Sequence, residues 1–291
     1  MKVWAFIANV DDIVEQYGLE VFEIKDNDRF YNTVLMDYTN IDITTGEEIK
    51  VYFNGKELEL PDAIFPMITN TDALMLEHLL VSAGCKSIVN LDEMAVAHSK
   101  VATYQRLAKH GFAIPKTVIF FNHPDKKLVL DKLSYPFVVK PDNGYGGQGV
   151  MLINNDEEFD EYINELQPGI TYIAQEYIST SKGKDLRVVF VEGEYKFSII
   201  RQSNNPDEFR SNVHTGGEMI PNELDESTKK MCKKIADLFD LPIIGIDLLF
   251  GEDGYIVTEI NASPGMEREV QYEVHRQVVE HFIEKCKEEE A

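Results

Sequence analysis

Apolar residues recur along this chain in two rhythms, and the switches between them mark out its elements. Lys2 to Ala8 and Ala63 to Met67 are short apolar runs that read as strands. Ala73 to Ala83 reads as a helix ending at Gly84, and Ser87 to Asn90 as a further short strand. Phe30 to Lys56 fits neither rhythm cleanly and suggests a β-rich insertion. Ser99 is placed to cap a helix that turns Val101, Tyr104, Leu107 and Ala108 toward a core and stops at Gly111. Thr117 to Phe121, Phe137 to Lys140 and Gly149 to Ile153 are extended. A helix then carries Phe159, Tyr162, Ile163 and Leu166 at the i, i+3, i+4, i+7 spacing of an amphipathic face. Downstream the pattern is strand-rich, with strands at Tyr172 to Ile178, Asp185 to Glu192, Tyr195 to Gln202, Ile243 to Phe250 and Tyr255 to Asn261. A helix from about Glu226 to Phe239 interrupts them, and another from about Glu267 to Cys286 buries Val270, Val274, Val278 and Phe282. The simplest arrangement is two α/β lobes with a smaller lid between them.

Composition narrows the class. A chain of 291 residues with 44% hydrophobic and 27% charged residues is ordinary globular protein, long enough for two or three small domains. No stretch has the length and apolarity of a membrane span, and the opening MKVWAFIANVDD lacks a signal-peptide core, so a cytoplasmic location is expected. Cys85, Cys232 and Cys286 are odd in number and far apart, which argues against a disulfide framework or a zinc site.

Charge changes the picture more. Lys and Arg total 28 against 51 Asp and Glu, a net charge of −23. Such an excess repels nucleic-acid phosphates and anionic membranes, so neither is expected as a partner. It repels nucleotides too, so a nucleotide site here would need its own cluster of Lys, Arg and a metal.

Two segments supply such chemistry. The first, PFVVKPDNGYGGQGVMLI, holds Gly144, Gly146, Gly147 and Gly149 just after Lys140. Gly144, Gly146 and Gly149 formally fit the dinucleotide fingerprint, but that motif opens a helix, whereas Val150 to Ile153 reads as a strand. No Lys-Ser or Lys-Thr follows the glycines, which excludes a P-loop, and no kinase catalytic-loop signature appears downstream. The loop is therefore a hairpin flap beside a strand-borne lysine, suited to covering a triphosphate with backbone N–H groups.

The second segment is IIGIDLLFGEDGYIVTEINASPG. Glu259 and Asn261, two apart on a strand, share a face, and Gly251 to Gly254 is turn-forming. With a three-residue loop at Glu252 to Gly254, Asp247 falls opposite Glu259; a loop one residue shorter or longer shifts that pairing by one position. Asp247, Glu259 and Asn261 would then gather oxygen donors on one face of an apolar hairpin, the donor set magnesium prefers.

With these residues in hand, the chain resembles the ATP-grasp enzymes and, more narrowly, the RimK-type carboxylate–amine (glutamate) ligases. The similarity runs from about Asn90 to Met266 and rests on AHSKVATYQRLAKHGFAIPKT, PFVVKPDNGYGGQGV, AQEYISTSKGKDLRVVF, EFRSNVHTGGE, GIDLLF and TEINASPGME in order. The resemblance implies a mixed α/β (α+β) ATP-grasp fold: an N-terminal α/β pre-ATP-grasp domain over residues 1–98, a central lid with the glycine flap over 99–174, and a C-terminal strand-rich subdomain with the magnesium site over 175–291. It implies that Lys100, Lys140 and the flap residues Gly146, Gly147, Gln148 and Gly149 meet ATP phosphates. Glu176 and Tyr177 would lie at the adenine edge, with Asp185 near the nucleotide and Arg210, Ser211 and Asn212 at the triphosphate and reacting centre. Asp247, Glu259 and Asn261 would hold magnesium, with manganese as an alternative, and a homo-oligomer is in keeping with the family.

The implied chemistry has two steps. A substrate carboxylate attacks the γ-phosphate of ATP, giving an acyl phosphate and ADP, and an amine from an amino acid, peptide or protein tail then displaces phosphate. Arg210 and Arg201 are the candidates to clamp the acyl phosphate or a carboxylate, since a guanidinium suits planar oxygen pairs; a surface ion pair is the alternative for Arg201. His214 is read as a positioning or structural residue. Two positions depart from the family pattern: Met67 stands where an arginine is common, and Thr215 replaces the arginine of HRGG. Those missing cations would suit a less acidic substrate. A peptide-tailoring ATP-grasp macrocyclase and a non-catalytic ATP-binding scaffold are the competing readings.

Overall fold

The computed structural model describes residues 2–7, 25–26, 29–30, 32–46, 48–67, 71–144, 149–211 and 217–289. The N-terminal region runs β1 (Lys2–Ile7), β2 (Lys25–Asp26), β3 (Arg29–Phe30), β4 (Asn32–Asp37), β5 (Ile41–Thr44), β6 (Lys50–Phe53), β7 (Lys56–Leu58), β8 (Ala63–Pro66), α1 (Thr71–Ser82) and β9 (Lys86–Ser87). Strands β4, β1, β8 and β9, in that order, form a parallel sheet. Val3, Trp4 and Ala5 of β1 and Ala63, Ile64 and Phe65 of β8 are all buried, the unbroken apolar run of a strand covered on both faces. The segment 30–56 is β-rich, as anticipated, but β4 pairs with β1 as part of the main sheet and only β5 to β7 form a separate antiparallel meander. That meander packs Val51, Ile43, Phe53 and Leu58 around Trp4, Ile64 and Leu76.

The strand expected at Ser87 to Asn90 ends at Ser87. Asn90 instead turns its side chain back to accept from Glu93 N and caps α2 (Leu91–His98), a short helix that buries Leu91, Met94 and Ala97. Ser99 caps α3 (Lys100–Lys109) through Ala102 N, with Tyr104 and Leu107 inward as expected. Ala108 faces solvent and Thr103 takes the inward position, because Thr103, Tyr104 and Leu107 already define the buried stripe.

The next region contains β10 (Thr117–Phe120), α4 (Lys126–Lys132), β11 (Phe137–Pro141), β12 (Met151–Ile153), α5 (Asp156–Asn164) and β13 (Tyr172–Glu176). Its antiparallel sheet has the order β10-β13-β11-β12, covered on one face by α4 and α5 through Val129, Leu133 and Phe159. The chain continues through β14 (Lys184–Val191), β15 (Glu194–Gln202), β16 (Glu218–Asn222), α6 (Glu226–Ala236), β17 (Ile243–Phe250), β18 (Tyr255–Asn261) and α7 (Arg268–Glu289). These strands form a second antiparallel sheet, β16-β15-β14-β17-β18. Its buried face, with Leu186, Val188, Phe190, Ile244 and Ile246, shares one cluster with Ile235 of α6, Val274, Val278 and Val279 of α7, and Val3, Ala5 and Phe65 of the parallel sheet. Val270 and Phe282 are only half-buried, so the inner stripe of α7 is completed by Val279, Ile283 and Cys286.

Cys85, Cys232 and Cys286 are free and buried, and burial pushes the Cys232 thiol up to about 12, leaving it an unreactive filler of the core. Among the described residues no helix is long and apolar enough to cross a membrane.

One carboxyl in this core titrates against the fold. Glu77 on α1 is 0% exposed, and its oxygens have no hydrogen-bond partner among the described residues. Burial pushes its carboxyl up to about 9. Between its unfolded value near 4.5 and that folded value, the native protein holds a proton the unfolded chain has released, so stability falls as pH rises through the window. Glu77→Gln is therefore expected to stabilise the protein increasingly from about pH 5.5 to about pH 8.5, by roughly 1 kcal/mol per pH unit. Urea midpoints of the two proteins across that range measure it; a constant difference would refute a buried neutral carboxyl.

Candidate active site

The register of the β17–β18 hairpin decides which side chains meet. Phe250 pairs with Tyr255, Leu249 with Ile256 and Leu248 with Val257, so the loop is the four residues Gly251 to Gly254, closed by Gly251 N donating to Gly254 O at 2.8 Å. The three-residue loop expected from the sequence is corrected here. On its own the longer loop would slide Asp247 past Glu259, but the register shifts at Thr258, and Asp247 again lies opposite Glu259, with Gly245 opposite Asn261. The reason lies outside the hairpin. Strand β18 is the sheet's edge, and its outer side is held by Val257 N donating to Ala113 O (2.9 Å) and by the Tyr104 hydroxyl donating to Thr258 O (2.7 Å).

Asp247 is 0% exposed and sits between two guanidinium groups. Arg187 donates from Nε to Oδ1 and from Nη2 to Oδ2, both at 2.8 Å, and Arg201 Nη2 donates to Oδ2 at 2.8 Å. Asn261 Nδ2 adds a bond to Oδ2 at 3.2 Å. Arg201 also grips Asp185 through Nε (2.8 Å) and Nη2, and the Ser211 hydroxyl donates to Asp185 Oδ2 at 2.6 Å. The sheet itself sets this lattice: Asp185 pairs with Arg201 across β14–β15, and Arg187 pairs with Asp247 across β14–β17. Burial pushes the Asp247 carboxyl up, but Arg187 and Arg201 outweigh it and hold the group well below the usual carboxylate range. For Asp185 burial wins over Arg201, and its carboxyl is raised. Burial lowers Arg201, yet the carboxylates of Asp247 and Asp185 more than reverse that and raise it. Arg201 is thus a buried ion-pair residue, not a surface one.

The glycine loop is tied to this sheet at its stem. Asp142, just past Lys140, accepts from Val101 N (2.8 Å) and from the Ser99 hydroxyl (2.7 Å), so it closes the N-terminus of α3. Lys100, 7% exposed, donates to Asp142 O (3.0 Å) and Gly144 O (2.8 Å) and lies 3.3 Å from Glu259 Oε1. Burial lowers the Lys140 ammonium, and the opposing charges of Glu259 and Asp142 offset this only in part. Strands β11 and β12 pair antiparallel, as the flap reading requires. Gly149 closes the flap with φ +68°, and a Cβ there would lie 3.1 Å from Pro141 Cγ.

At the segment joining the two antiparallel sheets, Glu176 Oε1 accepts from Lys116 N (2.8 Å), and the Tyr177 ring meets Phe209 edge-on at 6.3 Å. Arg210 is paired with Glu208. The structure thus links Asp185, Arg201, Ser211, Asp247 and Asn261 by side-chain hydrogen bonds, with Lys100 paired to Glu259 opposite Asp247 on the hairpin, Lys140 within the electrostatic reach of Glu259, Arg210 next to Ser211 in the chain, and Glu176 and Tyr177 at a separate edge. Gly146, Gly147, Gln148, Asn212, His214 and Thr215 lie outside the described residues. Arg187 and Asp142 are the members the sequence reading missed. The alternation in KDLRVVF put Arg187 on the face of Asp185, a signal available in principle.

The donor set fits a hard divalent cation. Among the described residues no three His, Cys, Asp or Glu side chains gather as a metal cage; Asp247, Glu259 and Asn261 offer two carboxylates and one carboxamide. Asp247 Oδ1 accepts from Arg187 Nε alone among the described residues, which leaves one lone pair, and Asn261 uses its nitrogen toward Asp247, which leaves its oxygen.

Comparison with known proteins follows the same lines. Residues 97–282 match the model of the RimK-like ATP-grasp domain. The chain is 32% identical over 225 residues to ribosomal protein bS6–L-glutamate ligase of Escherichia fergusonii, covering 75% of this chain and 74% of that protein. It is 30% identical over 246 residues to human N-acetylaspartylglutamate synthase A, covering 81% of this chain but only 62% of the human protein. In three dimensions it is similar to a RimK domain ATP-grasp protein of Sphaerobacter thermophilus, with a TM-score of 0.71, 14% identity, and coverage of 96% and 98% of the two chains. With a matching domain over most of its length and these relatives, the chain belongs to the RimK-like ATP-grasp family.

Proposed function

We propose that this chain is an ATP-dependent carboxylate–amine ligase that forms an amide bond through an acyl phosphate and releases ADP and phosphate. The observation that carries the reading is Asp247 and Glu259 paired across one hairpin, with Lys100 of α3 3.3 Å from Glu259 and bonded to the carbonyls of Asp142 and Gly144 in the glycine-flap stem. In an acidic protein of net charge −23, this is a locally balanced patch where cations answer carboxylates, so a polyanion can approach it. Relatives named as a ribosomal protein bS6–L-glutamate ligase and an N-acetylaspartylglutamate synthase support amide formation.

The residues divide the work. Lys140 and the flap hold the triphosphate, Lys100 exchanges its carbonyl partners for phosphate oxygens, and Glu176 and Tyr177 border adenine. Residues 1–98 shape the substrate side, 99–174 form the lid and 175–291 carry the metal face. Asp247, Glu259 and Asn261 hold magnesium, which when bound shields the charge of the transferring phosphoryl group. A substrate carboxylate oxygen bonds to the γ-phosphorus as the bond to the β-bridging oxygen breaks, and ADP leaves. The amine nitrogen then bonds to the acyl carbon, loses its proton, and phosphate departs. No protein nucleophile enters either step. Arg210 orients the acyl phosphate, and Arg201 acts through Asp185 and Asp247. With Met67 packed against the hydrophobic core, where the resemblance to RimK-type ligases leads one to expect an arginine, the acceptor is a peptide, protein tail or small acid that needs no cation at that position.

ADP and phosphate release, measured with magnesium and a panel of amino acids, dipeptides and peptides, tests the activity. A product lighter by one water than a carboxylate–amine pair establishes it, and ATP binding without turnover on any pair defeats it in favour of a scaffold. Lys140→Ala is expected to weaken magnesium–ATP binding at least tenfold, about 1.4 kcal/mol. Calorimetric titration reads this directly, and wild-type affinity would remove the flap-and-lysine account. In the double variant Glu259→Ala/Asn261→Ala, ATP affinity should no longer respond to magnesium while the thermal midpoint stays near wild type. Retained magnesium dependence would remove the metal assignment.

A further inference from the structure

The loop that follows β15 holds Arg210 in a way the nucleotide reading does not itself require. Glu208 accepts from Arg210 three times: from its backbone N at 3.0 Å, from Nε at 2.8 Å and from Nη2 at 2.8 Å. Hydrogen bonds from Arg210 hold the Glu208 carboxyl down at about 2, so it is ionised at any working pH. The Glu208 side chain is 16% exposed, unlike the partners of a solvated surface pair. A side-on grip on Nε and Nη2 fixes the plane of the guanidinium.

The same loop is fastened to the segment leading from Tyr177. Gly183 N donates to Phe209 O (3.0 Å), and Ser203 N donates to Gly183 O (2.8 Å). Gly183 has φ +68°, and a Cβ there would meet Glu208 O at 3.0 Å, so only glycine allows this close approach. The Phe209 ring lies between two partners: Tyr177 edge-on at 6.3 Å, and the Arg210 guanidinium 5.7 Å from its centroid.

We propose that Glu208 is a positioning residue that sets the plane of the Arg210 guanidinium toward the phosphate end of the bound nucleotide, and that the Tyr177–Phe209 contact ties this orientation to the adenine edge. The inference rests on the nucleotide reading above. Glu208 occupies the Nε edge of the guanidinium and holds it from that side.

The test is a double-mutant cycle on the full chain, reading affinity for magnesium–ATP and magnesium–ADP by calorimetric titration. The wild type should prefer ATP, since Arg210 serves the γ-phosphate end. Glu208→Gln keeps the shape but replaces one acceptor oxygen with an N–H donor facing Arg210. It and Arg210→Ala should each cut the ATP-over-ADP preference by about fivefold or more, and the double variant should lose no more than either alone. Phe209→Leu should lower the same preference by a smaller factor. Thermal midpoints within a few degrees of wild type separate this from general unfolding. Independent, multiplying effects of Glu208→Gln and Arg210→Ala would overturn the positioning role, as would an unchanged preference in Glu208→Gln. Equal weakening of ATP and ADP by Phe209→Leu would remove the tie to adenine. Failure of the wild type to bind ATP at all would instead overturn the nucleotide reading itself.

Discussion

A carboxylate buried between two guanidinium groups organises this protein. Asp247 has no solvent contact, and its charge survives only because Arg187 and Arg201 lie on it, each at 2.8 Å. Removing one partner from such a buried set costs on the order of 3–5 kcal/mol, so the three side chains hold strands β14, β15 and β17 in one register. Everything proposed for the nucleotide is arranged around that lattice. Asn261 reaches Asp247, Glu259 pairs opposite it, Lys100 joins Glu259 to the flap stem, and Asp185 shares Arg201.

The lattice also answers the charge problem. Averaged over its surface, a protein carrying −23 would turn a triphosphate away. The fold gathers Lys100, Lys140, Arg187 and Arg201 near Asp142, Asp185, Asp247 and Glu259, so the local field differs from the global one. Burial strengthens each of these interactions and raises the penalty for leaving any of them unpaired. A site built this way is rigid before a ligand arrives, which is what positioning chemistry needs.

Much of this was legible beforehand. The flap reading followed from Val150 to Ile153 looking like a strand, and the strand β12 begins there at Met151. The pairing of Asp247 with Glu259 was also anticipated, though by a different route: the loop is one residue longer, and Thr258 compensates because Tyr104 and Ala113 hold the edge of β18. Neither contact can be read locally, since Tyr104 lies on a helix far away in the chain. The helix α2 was missed because eight residues give too few turns for a periodic signal, although Asn90 offered a cap.

The sequence by itself determined the element types, the glycine flap beside Lys140, the shared face of Glu259 and Asn261, and the family, because each depends on neighbours within a few positions or on the order of motifs. Only the tertiary structure decided that Arg187 belongs to the site, that Arg201 is a buried bridge between Asp185 and Asp247, and that Arg210 is held by Glu208 against a loop fastened to Tyr177. A guanidinium at a given position reads the same in sequence whether it faces water or a carboxylate. Cross-strand register and burial make the difference, and both arise from contacts between segments that the chain brings together only on folding.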